Sequence, residues 1–69
     1  MKTNKIENGR GYPDSKKEGC YYWVKRYSPF DNSWEICLWN GYCFLAYGYQ
    51  TFEIEIQLPI EYVEIKKPN

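Results

Sequence analysis

A chain of 69 residues makes one domain, and one that buries only about 60% of the surface its unfolded form exposes, so its core has to be small. With 20% of the residues aromatic, rings that each bury roughly 150–250 Å² can supply that core in place of many aliphatics. The formal net charge of zero argues against duplex nucleic acid as a partner, because that binding runs on phosphate neutralisation and counterion release.

The neutral total hides a split: residues 1–26 carry seven cations against three anions, and residues 27–69 carry two against six. Opposite charges on the two halves attract, within one chain or between copies. The longest strictly apolar run, Cys43 to Tyr47, is too short to cross a bilayer, and the Met1-Lys-Thr-Asn-Lys start lacks the apolar stretch of a signal peptide. Three cysteines without secretory context fit a reducing compartment. The expectation is a cytoplasmic protein with no membrane contact.

Residues 1–19 are polar, are broken by Gly9, Gly11, Pro13 and Gly19, and show no apolar period; they read as an arm ahead of a single small β domain over residues 20–69. From Cys20 onward the period is two, which predicts strands near 20–27, 33–39, 42–47, 52–58 and 61–66 and no helix. In the first strand, Val24 is the only aliphatic residue. That favours burying Tyr22 and Val24 and leaving Tyr21, Trp23, Lys25 and Tyr27 outside, whereas the opposite choice hides Trp23 and exposes Arg26.

Asn40-Gly41 is the dipeptide that favours a two-residue type I′ turn, since both positions tolerate positive φ. Such a loop predicts Trp39 opposite Tyr42, Leu38 opposite Cys43, Cys37 opposite Phe44 and Ile36 opposite Leu45. One face then carries Trp34, Ile36, Leu38, Cys43, Leu45 and Tyr47, and is the expected core face. The other carries Glu35, Cys37, Trp39, Tyr42, Phe44 and Ala46. Phe52 to Leu58 alternates cleanly, with Phe52, Ile54, Ile56 and Leu58 expected inward and Glu53, Glu55 and Gln57 outward. Pro59 ends that strand, and Tyr62 to Ile65 supplies a last short one before the Lys66-Lys67-Pro68 tail.

The predicted fold is all-β: a five-stranded antiparallel meander with an N-terminal arm, curled into a small, partly open SH3-like barrel or a strongly bent sheet. An open sheet leaves edges that invite a second copy or a partner strand, and a homo-oligomer is expected.

Glu18-Gly19-Cys20-Tyr21-Tyr22-Trp23-Val24-Lys25, then Trp34-Glu35-Ile36, Asn40-Gly41 and Glu61-Tyr62-Val63-Glu64-Ile65 together resemble a loose group of small phage and prophage proteins, mostly of unknown function, with a Gly-x-Tyr-Tyr-Trp-Val opening. The resemblance spans about two thirds of the chain and stops short of the first 17 residues. It implies a phage-encoded β protein acting in the host cytoplasm. Many such proteins counter host defences by binding a host protein or by sequestering a signalling nucleotide.

Catalysis finds little support in the residues. There is no histidine, so Ser-His, Cys-His and His-metal arrangements are absent, and no phosphate loop occurs. The predicted register puts Cys37 and Cys43 on opposite faces of the hairpin, away from a shared disulfide or metal. A non-enzymatic binding protein without cofactor or metal is the reading that remains. Its candidate contact residues are Trp23, Lys25, Arg26, Trp39, Tyr42 and Phe44. They form either a protein interface, where Trp, Tyr and Arg dominate, or a nucleotide site, where rings stack on a base while Lys25, Arg26 or Arg10 meets phosphate.

Overall fold

Aromatic and β-branched side chains in period two draw the backbone into strands, and in the computed structural model, which describes residues 3–29 and 33–65, six of them form one sheet. They are β1 (Asn4–Lys5), β2 (Tyr21–Arg26), β3 (Trp34–Trp39), β4 (Phe44–Tyr47), β5 (Phe52–Glu55) and β6 (Pro59–Glu64), all paired antiparallel. The all-β expectation holds. The sixth strand is β1, contributed by the arm. A short 3-10 turn over Ser15–Lys17 is the one helical element among the described residues, with the Asp14 side chain accepting from the Lys16 N–H. The Lys66-Lys67-Pro68 tail lies outside the described residues.

The strand order β1-β6-β2-β3-β4-β5 explains the shape. Four strand spacings of about 4.8 Å separate β5 from β6, roughly 19 Å in a flat sheet. Only Ile56, Gln57 and Leu58 join them, a reach of about 14 Å. The sheet therefore bends strongly while remaining open, since β1 and β5 each have a single neighbour. At the corner Leu58 adopts φ 52°, and its carbonyl accepts from the Tyr27 N–H at 2.8 Å.

The core fills the concave side with Ile6, Tyr22, Val24, Cys37, Trp39, Phe44, Ala46, Ile56 and Tyr62. Phe44 is its hub, with ring centroids 4.9 Å from Trp39, 5.5 Å from Tyr62 and 5.7 Å from Tyr22. Each such pair adds about 0.5–1.5 kcal/mol beyond the area it buries. The arm closes over this hub. Ile6 is buried and its N–H donates to the Ile60 carbonyl, Tyr12 stacks on Trp39 at 5.8 Å, and the Trp39 indole N–H donates to the Asp14 carbonyl at 3.0 Å. The Tyr62 hydroxyl donates to the Gly11 carbonyl.

The first strand faces as expected, with Tyr22 and Val24 buried. The hairpin departs from expectation twice. Its loop has four residues rather than two: Trp39 pairs with Phe44, Leu38 with Leu45 and Cys37 with Ala46. The cause is the Asn40 side chain, whose Oδ1 accepts from both the Tyr42 and Cys43 N–H groups at 2.8 Å while Gly41 takes φ 94°, so an Asx-type turn replaces the type I′ turn.

A slip of two residues keeps every side chain on its own face, but the buried face is the other one. Cys37, Trp39, Phe44 and Ala46 are interior, while Trp34, Ile36 and Tyr47 are exposed. The small Cys37 and Ala46 alternate with the large Trp39 and Phe44, which is what a tightly curved concave surface accommodates.

No residue of β5 is buried; the buried residue is Ile56, which follows it. An irregularity between Ala46 and Tyr47 pairs Ala46 with Ile54 but Tyr47 with Phe52, so Glu53 is an extra residue and Phe52 turns to the convex side. Ile54 shares the inner face of its partner Ala46 but lies exposed on the edge strand, and Leu58 lies at the exposed corner, so neither is buried as expected.

Candidate functional site on the convex sheet face

The convex face is built from the alternate residues of the same strands that make the core. Cross-strand pairing sets its first row as Lys5, Glu61, Lys25 and Trp34, running over β1, β6, β2 and β3. Beside it lie Val63, Trp23 and Ile36, and then Tyr21, Leu38 and Leu45. Trp23 is 41% exposed, Ile36 44% and Trp34 37%, at central rather than edge positions of the sheet. Tyr21, Phe52 and Tyr47 extend the apolar surface as a chain of rings with centroids 5.4 and 5.2 Å apart. A cleft of about 390 Å³ opens between Trp23, Trp34, Val63 and Thr3.

Polar groups frame the first row. The Thr3 hydroxyl donates to Glu61 at 2.8 Å. The two ion pairs among the described residues lie elsewhere: Arg26 with Glu35 at 3.4 Å and Lys17 with Glu64 at 3.3 Å. Lys5 and Lys25 thus flank Glu61 without a salt bridge of their own.

The structure separates the residues that the sequence grouped. Trp23 and Lys25 share the convex face. Arg26 is exposed at the strand end, paired with Glu35, and Tyr42 is 87% exposed on the β3–β4 loop. Trp39 and Phe44 are 2% and 1% exposed, so their rings are core walls and cannot serve as contact residues. The spare face is instead the one expected to be the core, and Trp34, Ile36, Leu38 and Leu45 are the residues sequence reasoning misplaced. The small Cys37 and Ala46 beside Trp39 and Phe44 suit the concave side once the sheet curves that way, but they select that face only together with the curvature.

The ionisable groups inside the fold are held neutral. Burial, reinforced by Glu35, pushes the Cys37 thiol up to about 12, and burial with Glu64 nearby pushes the Tyr22 hydroxyl up to about 12. Burial also raises Tyr62, and raises Cys43 together with Glu55. A Cys37 or Cys43 thiol raised in this way is a poor nucleophile near neutral pH. Among the described residues no three His, Cys, Asp or Glu side chains cluster as a metal site, and no helix is long and apolar enough to cross a membrane.

Binding through aromatic and aliphatic contact, with a charged row along one margin, is what this surface offers chemically. No family model matches the chain, and neither a curated protein nor a solved structure matches it.

Proposed function

We propose that the protein is a non-catalytic binding protein whose convex sheet face is a protein–protein interface. The carrying observation is the exposure of Trp23, Trp34 and Ile36 at the centre of the sheet, on the face opposite a complete core. A one-layer sheet ordinarily turns a polar face to water, and a contiguous apolar surface marks an interaction site. Tryptophan and tyrosine are also the residues that carry most interface energy. The resemblance to small phage proteins extends the proposal to an inhibitor of a host defence component in the host cytoplasm.

A nucleotide sponge draws less support, because two of the rings it would use, Trp39 and Phe44, are sealed in the core. Tagged wild-type protein and the Trp23→Lys, Ile36→Lys and Tyr42→Lys variants, purified from the producing cell and crosslinked, test the proposal. Tyr42→Lys keeps the wild-type protein contacts and the two face variants lose them at unchanged melting temperature. Face variants that retain every contact would sink this reading, and nucleotide quenching of wild-type tryptophan fluorescence would favour the sponge.

A further inference from the structure

Resting on that reading of the convex face, we infer that its occupant is a second copy of this chain, docked face to face about a two-fold axis along the seam between β2 and β6. The argument comes from the first row of the face, which reads Lys5, Glu61, Lys25, Trp34 across four neighbouring strands.

A two-fold axis lying in the interface and parallel to the strands places each strand over its mirror position in the other copy. Set on the β2–β6 seam, it lays the row on its own reverse. Glu61 then meets Lys25 of the second copy and Lys25 meets Glu61. Lys5 lies over the Trp34 ring of the other copy, a cation–π arrangement, and Trp34 over Lys5. Every charge in the row finds a complement, and each contact occurs twice. Centring the axis on β2 instead would oppose Lys25 to Lys25, which is repulsive. Charge therefore selects the seam among the possible axes.

The apolar rows agree with that choice. On the β2–β6 seam Trp23 of one copy stands over Val63 of the other, at the open cleft of about 390 Å³ that Thr3, Trp23, Trp34 and Val63 line. The ring of one copy enters the cleft of the next, and the reverse contact is made at the same time. Because the sheet is bent, contact concentrates on the strip formed by β6, β2 and β3, where these residues lie. The self-complementary row is also why a second copy fits this face better than an unrelated protein: no outside charge pattern is required to satisfy it.

Sedimentation velocity over a range of concentrations tests the pairing. Wild-type protein sediments as a dimer, and Lys25→Glu and Glu61→Lys, each alone, weaken dimerisation on the order of tenfold or more, because like charges then face one another across the axis. An equimolar mixture of the two variants restores the dimer. In the mixed pair the Lys25→Glu chain presents carboxylates at both positions and the Glu61→Lys chain presents ammonium groups at both, so each symmetric contact again joins opposite charges. Lys25 and Glu61 are also neighbours within a chain, so the mixture is the decisive arm: recovery there cannot come from an intrachain pair.

Circular dichroism melts of each variant confirm folding. Should either reversal unfold the chain, Trp23→Lys takes its place and gives a monomer. A wild-type monomer at all concentrations, a dimer indifferent to both reversals, or a mixture that fails to recover would each overturn self-pairing. If the wild type is monomeric while Trp23→Lys still loses a crosslinked protein, the convex face serves a foreign partner and only the self-pairing is wrong. If nothing is lost, both fall.

Discussion

Trp34 and Trp39 lie on one strand five residues apart and do opposite work. Trp39 is packed against Phe44 and Tyr12 and donates its indole N–H to the Asp14 carbonyl, so truncation removes a core ring and a hydrogen bond that ties the arm to it, leaving that carbonyl only the Lys17 N–H. Trp39→Ala is expected to cost about 3–5 kcal/mol in urea unfolding. Trp34→Ala removes a ring that lines the convex cleft, and is expected to cost under about 2 kcal/mol while weakening association. Equal losses in the two variants would mean that the convex face is a second core wall. The sequence shows both rings and the alternation that separates them, but not which of two apolar faces turns inward.

At the scale of the element, the corner between β5 and β6 carries a cost that the chain accepts to close its curve. Leu58 sits at φ 52°, where a side chain with a Cβ is disfavoured, and is 67% exposed, so it gains little burial in return. Leu58→Gly relieves the backbone at small loss of packing and is expected to stabilise the fold by about 0.5 kcal/mol. Leu58→Val is expected to destabilise it by about 1 kcal/mol, because a β-branched residue resists positive φ. Chemical denaturation midpoints of the two variants should bracket the wild type, and the reverse order would show that the Leu58 side chain has a packing role. The alternation from Phe52 to Leu58 predicts a strand continuing through this corner; the curvature of the sheet interrupts it.

For the whole molecule, the arm is what turns a bent sheet into a closed core. Gly11 holds it at the crossing: with φ 105°, an added Cβ would run into the Lys5 carbonyl oxygen, and its own carbonyl receives the Tyr62 hydroxyl. Gly11→Ala therefore strains the arm and its tie to Tyr62 together, at an expected cost of about 2–3 kcal/mol. Hydrogen exchange gives the sharper reading, because the Ile6 N–H, bonded to the Ile60 carbonyl at 2.9 Å, should lose protection before the amides of β2 and β3 do. Uniform loss across the sheet would mean instead that arm and sheet unfold as one unit. Nothing periodic in residues 1–19 announces this role, since one buried aliphatic, Ile6, and one stacking ring, Tyr12, make no pattern.

The sequence by itself determined the all-β class, the β2 to β5 meander and its final strand, the inward facing of Tyr22 and Val24, and the presence of an apolar face beyond what the core needs. These follow from period-two alternation and from breakers at Gly and Pro, which act locally. Tertiary structure decided which face of the β3–β4 hairpin is buried, because both faces are apolar and only the sign of the sheet's curvature separates them. It likewise decided the four-residue loop, through the Asn40 side chain, and the docking of the arm. Most of all it assembled Lys5, Glu61, Lys25 and Trp34 into one row, by bringing β1 and β6 from opposite ends of the chain to the side of β2, an order no local pattern reveals.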